Sequence, residues 1–284
     1  MIAPVTQQDI MNGLRALGFD ASSAVIVHAS LRSFGYVDGG ALAVCRALVA
    51  ACGTLVLPAS SWHLTDVPAP PGLRRPDNAV RMAATWQEFD AALARAVPYS
   101  ADLPIDPALG RIPETARRAL PHRRSPHPLL SYLAIGQHAD HVLAAQRLDW
   151  PLGPLEALAD LGGDVLLLGV THASNTAIHL AEQRLGRSCF WRYAKAHDRV
   201  WMELPNIPGE SGGFDDIEPE LLPVTREIHI GACRARRVAI ADVLTVATRM
   251  ILDKPAALLR ESSDLDSRYT AALRQRLARL SVQE

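Results

Sequence analysis

The stretch that most constrains the fold runs from Gly162 to Glu182, GGDVLLLGVTHASNTAIHLAE. Asp164 to Val170 is short and almost wholly apolar, the pattern of a strand buried on both faces. Gly169 to Ser174 is small and polar and reads as the turn that ends it. Asn175 to Leu185 then reads as a helix whose apolar stripe is Ile178, Ala181 and Leu185, at i, i+3 and i+7. Asn175, His179 and Glu182 fall at i, i+4 and i+7 and share a second face. In an α/β protein such a face opens at the carboxyl end of a strand, where ligands bind. An imidazole with a carboxylate one turn away suits a general base near neutral pH. The same spacing is common on solvated helix faces, where the pair contributes little. The polar turn that follows a buried strand favours the chemical role.

The strand, small polar loop and helix pattern recurs earlier. Thr6 caps a first helix through Leu17, which Gly18 ends. Ala24 to His28 (AVIVH) is of strand type, leads into ASLRSFGYVDGG, and is followed by a helix from about Ala41 to Ala51. Such a loop can offer backbone N–H groups to a phosphate, and Arg32 adds a charge. It is neither GxGxxG nor a P-loop, and a plain strand-to-helix turn explains it equally well. Gly53 to Pro58 is a second strand, with Ser60, Ser61, Trp62, His63 and Asp66 after its end. Pro68 to Pro107 is rich in proline and holds one amphipathic helix near Thr85 to Ala96. A loop this long reads as an excursion over a site mouth.

Pro113 to Leu120 reads as a short helix, Tyr132 to Ile135 as a strand and His138 to Gln146 as a helix. Leu148 to Pro154 is a proline-bounded loop. Arg199 to Leu204 alternates as a strand does, Ile228 to Ala239 has strand character, and Ile240 to Leu252 is helical. Asp266 to Leu280 is a basic amphipathic helix. The alternation predicts an α/β fold: a central mixed, mostly parallel sheet with helices on both faces, a three-layer sandwich. No Gly/Ser linker interrupts it, so one domain over 1–284 is expected, with the excursion at about 68–107.

Composition narrows the partners. The chain has 284 residues, 49% of them hydrophobic, which suffices for a sizeable core. Its formal net charge of -1 implies no general attraction to nucleic acid or anionic membrane. The amino terminus, MIAPVTQQDI, has neither a basic region nor an apolar one of the secretory kind. No apolar run approaches the roughly 20 residues that span a bilayer. The four cysteines, Cys45, Cys52, Cys189 and Cys233, lack CxxC spacing. Cys45 and Cys52 lie about 10 Å apart along one expected helix, too far for a disulfide. Free thiols and a cytoplasmic location are therefore expected. HLAEQ is not HExxH and no histidines show ligand spacing, so no metal is expected. Between Glu203 and Leu222 stand six acidic residues and no Lys or Arg, either a solvated loop or a seat for a cation.

Four stretches, in order, resemble the aminoglycoside N(3)-acetyltransferase family, which is distinct from the GNAT acetyltransferases. They are VIVHASLRSFGYVDGG (Val25 to Gly40), DPALGRIPETARRALPHRRSPHPLLS (Asp106 to Ser131), LDWPLGPLEAL with the opening stretch (Leu148 to Glu182), and IGACRARRVAIADVL (Ile230 to Leu244). The resemblance implies acetyl-CoA as co-substrate and a cationic amine of an aminocyclitol antibiotic as acceptor, while a homodimer is left open by the sequence. It implies that the segment from His28 to Gly35, with Ser30, Leu31, Arg32, Ser33 and Gly35 as binding residues, is a pyrophosphate and pantetheine loop. Ser125 and His127 of RSPHP, with Asn175 and Thr176, stand beside the cofactor. His179 matches the catalytic histidine of NTxxH, with Glu182 beside it. Asp215 and Asp216 match an acidic stretch that faces the acceptor, and Asp66 adds to it from the excursion. His172 is an extra histidine relative to the family pattern.

On this view an ammonium acceptor loses its proton to His179, oriented or kept basic by Glu182, and then attacks the thioester directly. Two activities of other classes compete with it. One is a hydrolase that pairs a serine with His127 or His179. The other is a non-catalytic binder of CoA or an amino sugar. A related acyl-CoA N-acyltransferase on a non-antibiotic amine is the nearest variant.

Overall fold

The computed structural model describes residues 3–73, 82–187, 190–209 and 211–259. The expected helix at Asp266 to Leu280, Cys189, Glu210 and residues 74–81 of the excursion lie outside the described residues. The described elements are, in chain order, α1 (Gln7–Ala16), β1 (Ala24–Ala29), α2 (Gly40–Ala51), β2 (Thr54–Pro58), α3 (Trp62–Thr65), β3 (Asp66–Val67), α4 (Trp86–Arg95), α5 (Arg111–Ala119), β4 (Arg123–Arg124), β5 (Tyr132–Gly136), α6 (Ala139–Ala144), α7 (Gly153–Asp160), β6 (Asp164–Leu168), α8 (Thr176–Arg184), β7 (Phe190–His197), β8 (Val200–Ile207), α9 (Glu218–Leu221), β9 (Arg226–Ile230), β10 (Cys233–Ala239) and α10 (Ile240–Asp253).

Local chemistry sets several of these boundaries. Thr6 and Asp9 form a capping box at the start of α1, each side chain accepting the other's backbone N–H. Asn175 caps α8 by accepting the N–H of Ala177. The loop expected up to Pro154 ends two residues sooner, because Gly153 and Pro154 already open α7, where a proline costs no helical hydrogen bond.

Seven strands form one sheet in the order β4-β5-β2-β1-β6-β10-β9. Only β1–β2 and β1–β6 pair in parallel, whereas β6–β10, β9–β10, β2–β5 and β4–β5 are antiparallel. The sheet is mixed, as expected, but the expected parallel majority is corrected. The reason lies in the connections. A tight turn at Gly231, which has a φ of +60°, folds β9 back on β10. Parallel pairing needs a crossover helix, which α2 supplies between β1 and β2.

Strand alternation sorts the core into two layers. Val25, Val27, Leu166 and Leu168 face a cluster with Ile10, Leu14, Val44, Leu48 and Ile112 from α1, α2 and α5. Ile26, Val165 and Leu167 face the other, with Val142, Leu155, Ile178, Val243 and Ala247 from α6, α7, α8 and α10. Burial on both faces explains why β1 and β6 are apolar without a break. By the same period of two, His28 shares the Ile26 side and points toward α8.

A second sheet, β3-β7-β8, stands apart from the first. Val67, Ala83, Phe89, Leu93 and Tyr193 form its own core, and Trp201 meets Phe89 edge to face at 5.7 Å. The described part of the excursion therefore builds a packed wall rather than a loose flap. Among the described residues, no helix is long and apolar enough to cross a membrane.

Candidate active site

The connection from β1 to β2 runs through α2 on one face, and that from β5 to β6 through α6 and α7 on the other. The two connections thus cover opposite faces of the sheet, and a crevice opens at the carboxyl ends of the neighbours β1 and β6. A cleft of about 980 Å³ lies there. His28 to Arg32 form one side, Val170 and Ala173 to Thr176 with His179 another, Gly110 to Pro113 a third, and Arg192 with Ile207 to Gly209 from the small sheet a fourth.

His179 is the ring best placed for proton transfer. Its Nδ1 lies 2.7 Å from Oε2 of Glu182, whose side chain is 0% exposed. The other carboxylate oxygen, Oε1, accepts two hydrogen bonds from Arg187, Nε at 3.0 Å and Nη2 at 2.6 Å. An ionised carboxylate only accepts, so Nδ1 carries the ring proton and Nε2 is left for the cleft. The edge of Phe214 lies against the ring at 4.6 Å and fixes its plane. The polar face of α8 therefore divides, with His179 reaching the cleft while Glu182 lies wholly inside.

His28 adds a second imidazole. Its Nε2 is 3.4 Å from the N–H of Thr176 at the first turn of α8. Burial, and after it the repulsion of His179, push its pKa down to about 3, so it stays neutral. His172, buried beneath the turn, exchanges a 3.2 Å contact between its Nδ1 and the Asn175 amide. Burial and the nearby Arg236 take it down to about 4.

The expected site residues separate into two groups. Ser30, Leu31, Arg32, Asn175, Thr176 and His179 line the cleft. Ser33 and Gly35 lie behind it in the 3-10 turn Leu31–Phe34, where the Ser33 hydroxyl donates to the Ser30 carbonyl and Gly35 leaves the turn at a φ of +78°. Ser125 is buried and takes the N–H of Tyr132 on its hydroxyl. His127 is buried too, its Nδ1 accepting the N–H groups of Leu129 and Leu130. Asp66 is held by Arg192 at 2.7 Å. Asp215 and Asp216 are exposed at the rim, where Asp215 accepts the N–H of cleft-lining Ala173 at 2.9 Å. Cys45, Cys52 and Cys233 are buried free thiols, and burial raises Cys45 and Cys52 to about 12.

Sequence reasoning took His28 only as the start of the cofactor loop, with no role for its imidazole, and passed over Arg111, Arg187 and Arg192. For His28 the signal was present, since a histidine ending an apolar strand at a ligand-binding edge asks for a partner. For Arg192 there was none, because a strand in a remote sheet carries it.

The buried neutral histidines have a measurable consequence. An unfolded chain protonates each near pH 6.5, whereas the folded chain resists protonation down to about 3 at His28 and about 4 at His127 and His172. Their folded values are depressed, so stability falls as pH drops from about 6.5 toward 4, by on the order of 1 kcal/mol per pH unit for each histidine. Thermal melts at pH 7 and pH 5 should show a lower Tm at pH 5, and His172→Gln should flatten the difference. A Tm that does not change between these pH values would exclude this origin.

Known proteins share this architecture. The family model for aminoglycoside 3-N-acetyltransferase matches residues 26–252. The prophage-derived aminoglycoside N(3')-acetyltransferase-like protein YokD of Bacillus subtilis is 35% identical over 189 residues, which cover 64% of this chain and 66% of that one. Aminoglycoside N(3)-acetyltransferase IX of Micromonospora chalcea is 34% identical over 260 residues, covering 84% and 88%. The crystal structure of the Bacillus subtilis protein superposes with a TM-score of 0.78 at 27% identity, over 89% of this chain and 96% of that one. Since the family model extends from β1 into α10 and so takes in the whole crevice, the chain belongs to the aminoglycoside 3-N-acetyltransferase family of acyltransferases.

Proposed function

We propose that the protein transfers an acetyl group from acetyl-CoA to an amine of an aminoglycoside, the 3-amino group of its aminocyclitol, by direct attack with His179 as general base. The observation that carries this is the cleft histidine whose Nδ1 is bound by a fully buried carboxylate at 2.7 Å. That bond leaves Nε2 to take the proton of an ammonium acceptor.

The family's acetyl donor is acetyl-CoA, which supplies the acetyl group activated as a thioester. The cleft suits such a group in size and in its donors. Exposed Arg32 and Arg111 stand on its lining and would hold phosphates, with the backbone of Ser30 and Leu31 beside them. The positive end of α8, whose Thr176 N–H already donates to His28 Nε2, would steady negative charge near His179. The thiols are passed over as nucleophiles because Cys45 and Cys52 stay protonated.

The acceptor's other ammonium groups would meet Asp215 and Asp216 at the rim. Both are exposed, so each contact is worth at most about 1 kcal/mol. Asp215→Asn with Asp216→Asn is expected to raise KM for a polyamine acceptor several-fold, with KM for acetyl-CoA unchanged. Added salt should shrink the difference. An unchanged acceptor KM at low salt removes these residues from the acceptor site.

Arg192 favours a second reading, since its pairing with Asp66 at 2.7 Å takes that carboxylate from a polycationic guest and sets a guanidinium in the cleft wall. On it the protein is a related N-acyltransferase that acts on a non-antibiotic amine. Thiol release from acetyl-CoA over a panel of aminoglycosides and neutral-bodied monoamines decides between the two, with NMR locating the acetylated nitrogen. Thiol release without any amine would instead reveal a hydrolase.

A further inference from the structure

Arg187 has no obvious place in the chemistry, yet its side chain is 0% exposed. Such a burial is costly unless the charge is paired and every N–H is used. Here it is met from two directions. After α8 the chain reverses through Gly186, and the N–H of Arg187 returns to the carbonyl of Glu182 at 2.8 Å. That turn lays the guanidinium against Glu182 Oε1. On its far side Nη1 donates to the carbonyls of Pro255 at 3.2 Å and Ala257 at 2.6 Å, just beyond α10.

We infer that Arg187 is a positioning residue of the acyl-transfer site, which acts through Glu182 to hold His179 in the tautomer that can accept a proton. The role rests on the proposed function of His179 as base. By taking Oε1 with two hydrogen bonds, Arg187 leaves Oε2 to face the imidazole. Its charge pairs with that fully buried carboxylate, which as an anion is an acceptor only. A buried Glu182 without that cation would hold its proton and could donate it to Nδ1. The ring hydrogen would then sit on Nε2, with no lone pair left toward the cleft. The other charged or titratable groups around this unit are His28 on β1, facing His179, Asp215 on the rim, and the Arg184–Glu156 pair on the outer side of α8. The two carbonyls beyond α10 make that segment the support of the unit.

The test uses the full chain with Arg187→Met and Arg187→Lys. At pH 7 the Met variant is expected to lose about 100-fold in kcat, the lower end for a positioned base, while KM for acetyl-CoA stays within about twofold. The loss should shrink as pH rises, with the acid limb of kcat/KM moved to higher pH than in wild type. Arg187→Lys keeps the charge but not the fork and should fall between the Met variant and wild type. Nitrogen NMR of labelled histidine should show neutral His179 protonated at Nδ1 in wild type and at Nε2 in the Met variant. A folded Met variant with the wild-type pH profile and tautomer overturns the proposal. If the Met variant does not fold, the wild-type spectrum decides, because a neutral His179 protonated at Nε2 overturns it and one protonated at Nδ1 supports it. His179→Ala separates the two levels. If that variant keeps its kcat, the base assignment fails and Arg187's role with it. If it is inactive while the Met variant behaves as wild type, only the role of Arg187 fails.

Discussion

His179→Ala is expected to lower kcat by about 10²–10⁴-fold under saturating substrates, the usual contribution of a positioned base. The variant should still bind acetyl-CoA with wild-type affinity in calorimetry, because the phosphate-facing part of the cleft, Ser30 to Arg32 and Arg111, is untouched. The fold should persist as well. Removing the ring leaves Glu182 paired with Arg187, so no buried charge is orphaned. The space beside Phe214 opens onto the cleft and can fill with water. Loss of kcat together with loss of acetyl-CoA binding would point to a structural role for the ring. Near-wild-type kcat at pH 7 would remove His179 as the base.

Arg124→Met should produce a large loss of stability. Arg124 gathers three separate parts of the chain. Its Nη1 donates to the carbonyls of Ala101 and Leu103 where the excursion returns. Its Nη2 donates to the Ala59 carbonyl and the Ser61 hydroxyl at the exit of β2, and its Nε to Ser131 ahead of β5. The guanidinium also stacks over Tyr99, 5.5 Å from the ring centre. Methionine fills similar volume and donates nothing, so partly buried acceptors go unpaired at about 1–3 kcal/mol each. A total near 3–5 kcal/mol is expected, which for a chain of this size lowers Tm by about 10 °C. KM should rise as well, since Ser60, Trp62 and Ser131 on the cleft lining lose their tie. A Tm within about 2 °C of wild type refutes the assignment.

The RSPHP segment shows what tertiary structure adds to a family resemblance. The resemblance set Ser125 and His127 beside a cofactor. In the folded chain Arg124 ties the carbonyls of Ala59, Ala101 and Leu103, Ser125 accepts the N–H of Tyr132, and Nδ1 of His127 accepts those of Leu129 and Leu130, contacts that stiffen the cleft wall. The strand β7 went unread for a similar reason. Phe190 to His197 mixes aromatic and basic residues without clean alternation, and its partners β3 and β8 give it a surface to pair with.

What the sequence by itself determined was local. The strand at Asp164–Leu168, the turn, the Asn175 cap, and the helix that sets His179 and Glu182 one turn apart follow from apolar periodicity and capping chemistry. These forces act over a few residues, so a few residues reveal them. The tertiary structure alone decided that Glu182 would be sealed against Arg187 and two carbonyls beyond α10, and that His28 would lie against Thr176, 148 positions away. It also decided that four of the six ladders of the main sheet would be antiparallel. A buried polar group must find its partner wherever packing supplies one, and remote segments that share no local pattern supplied these.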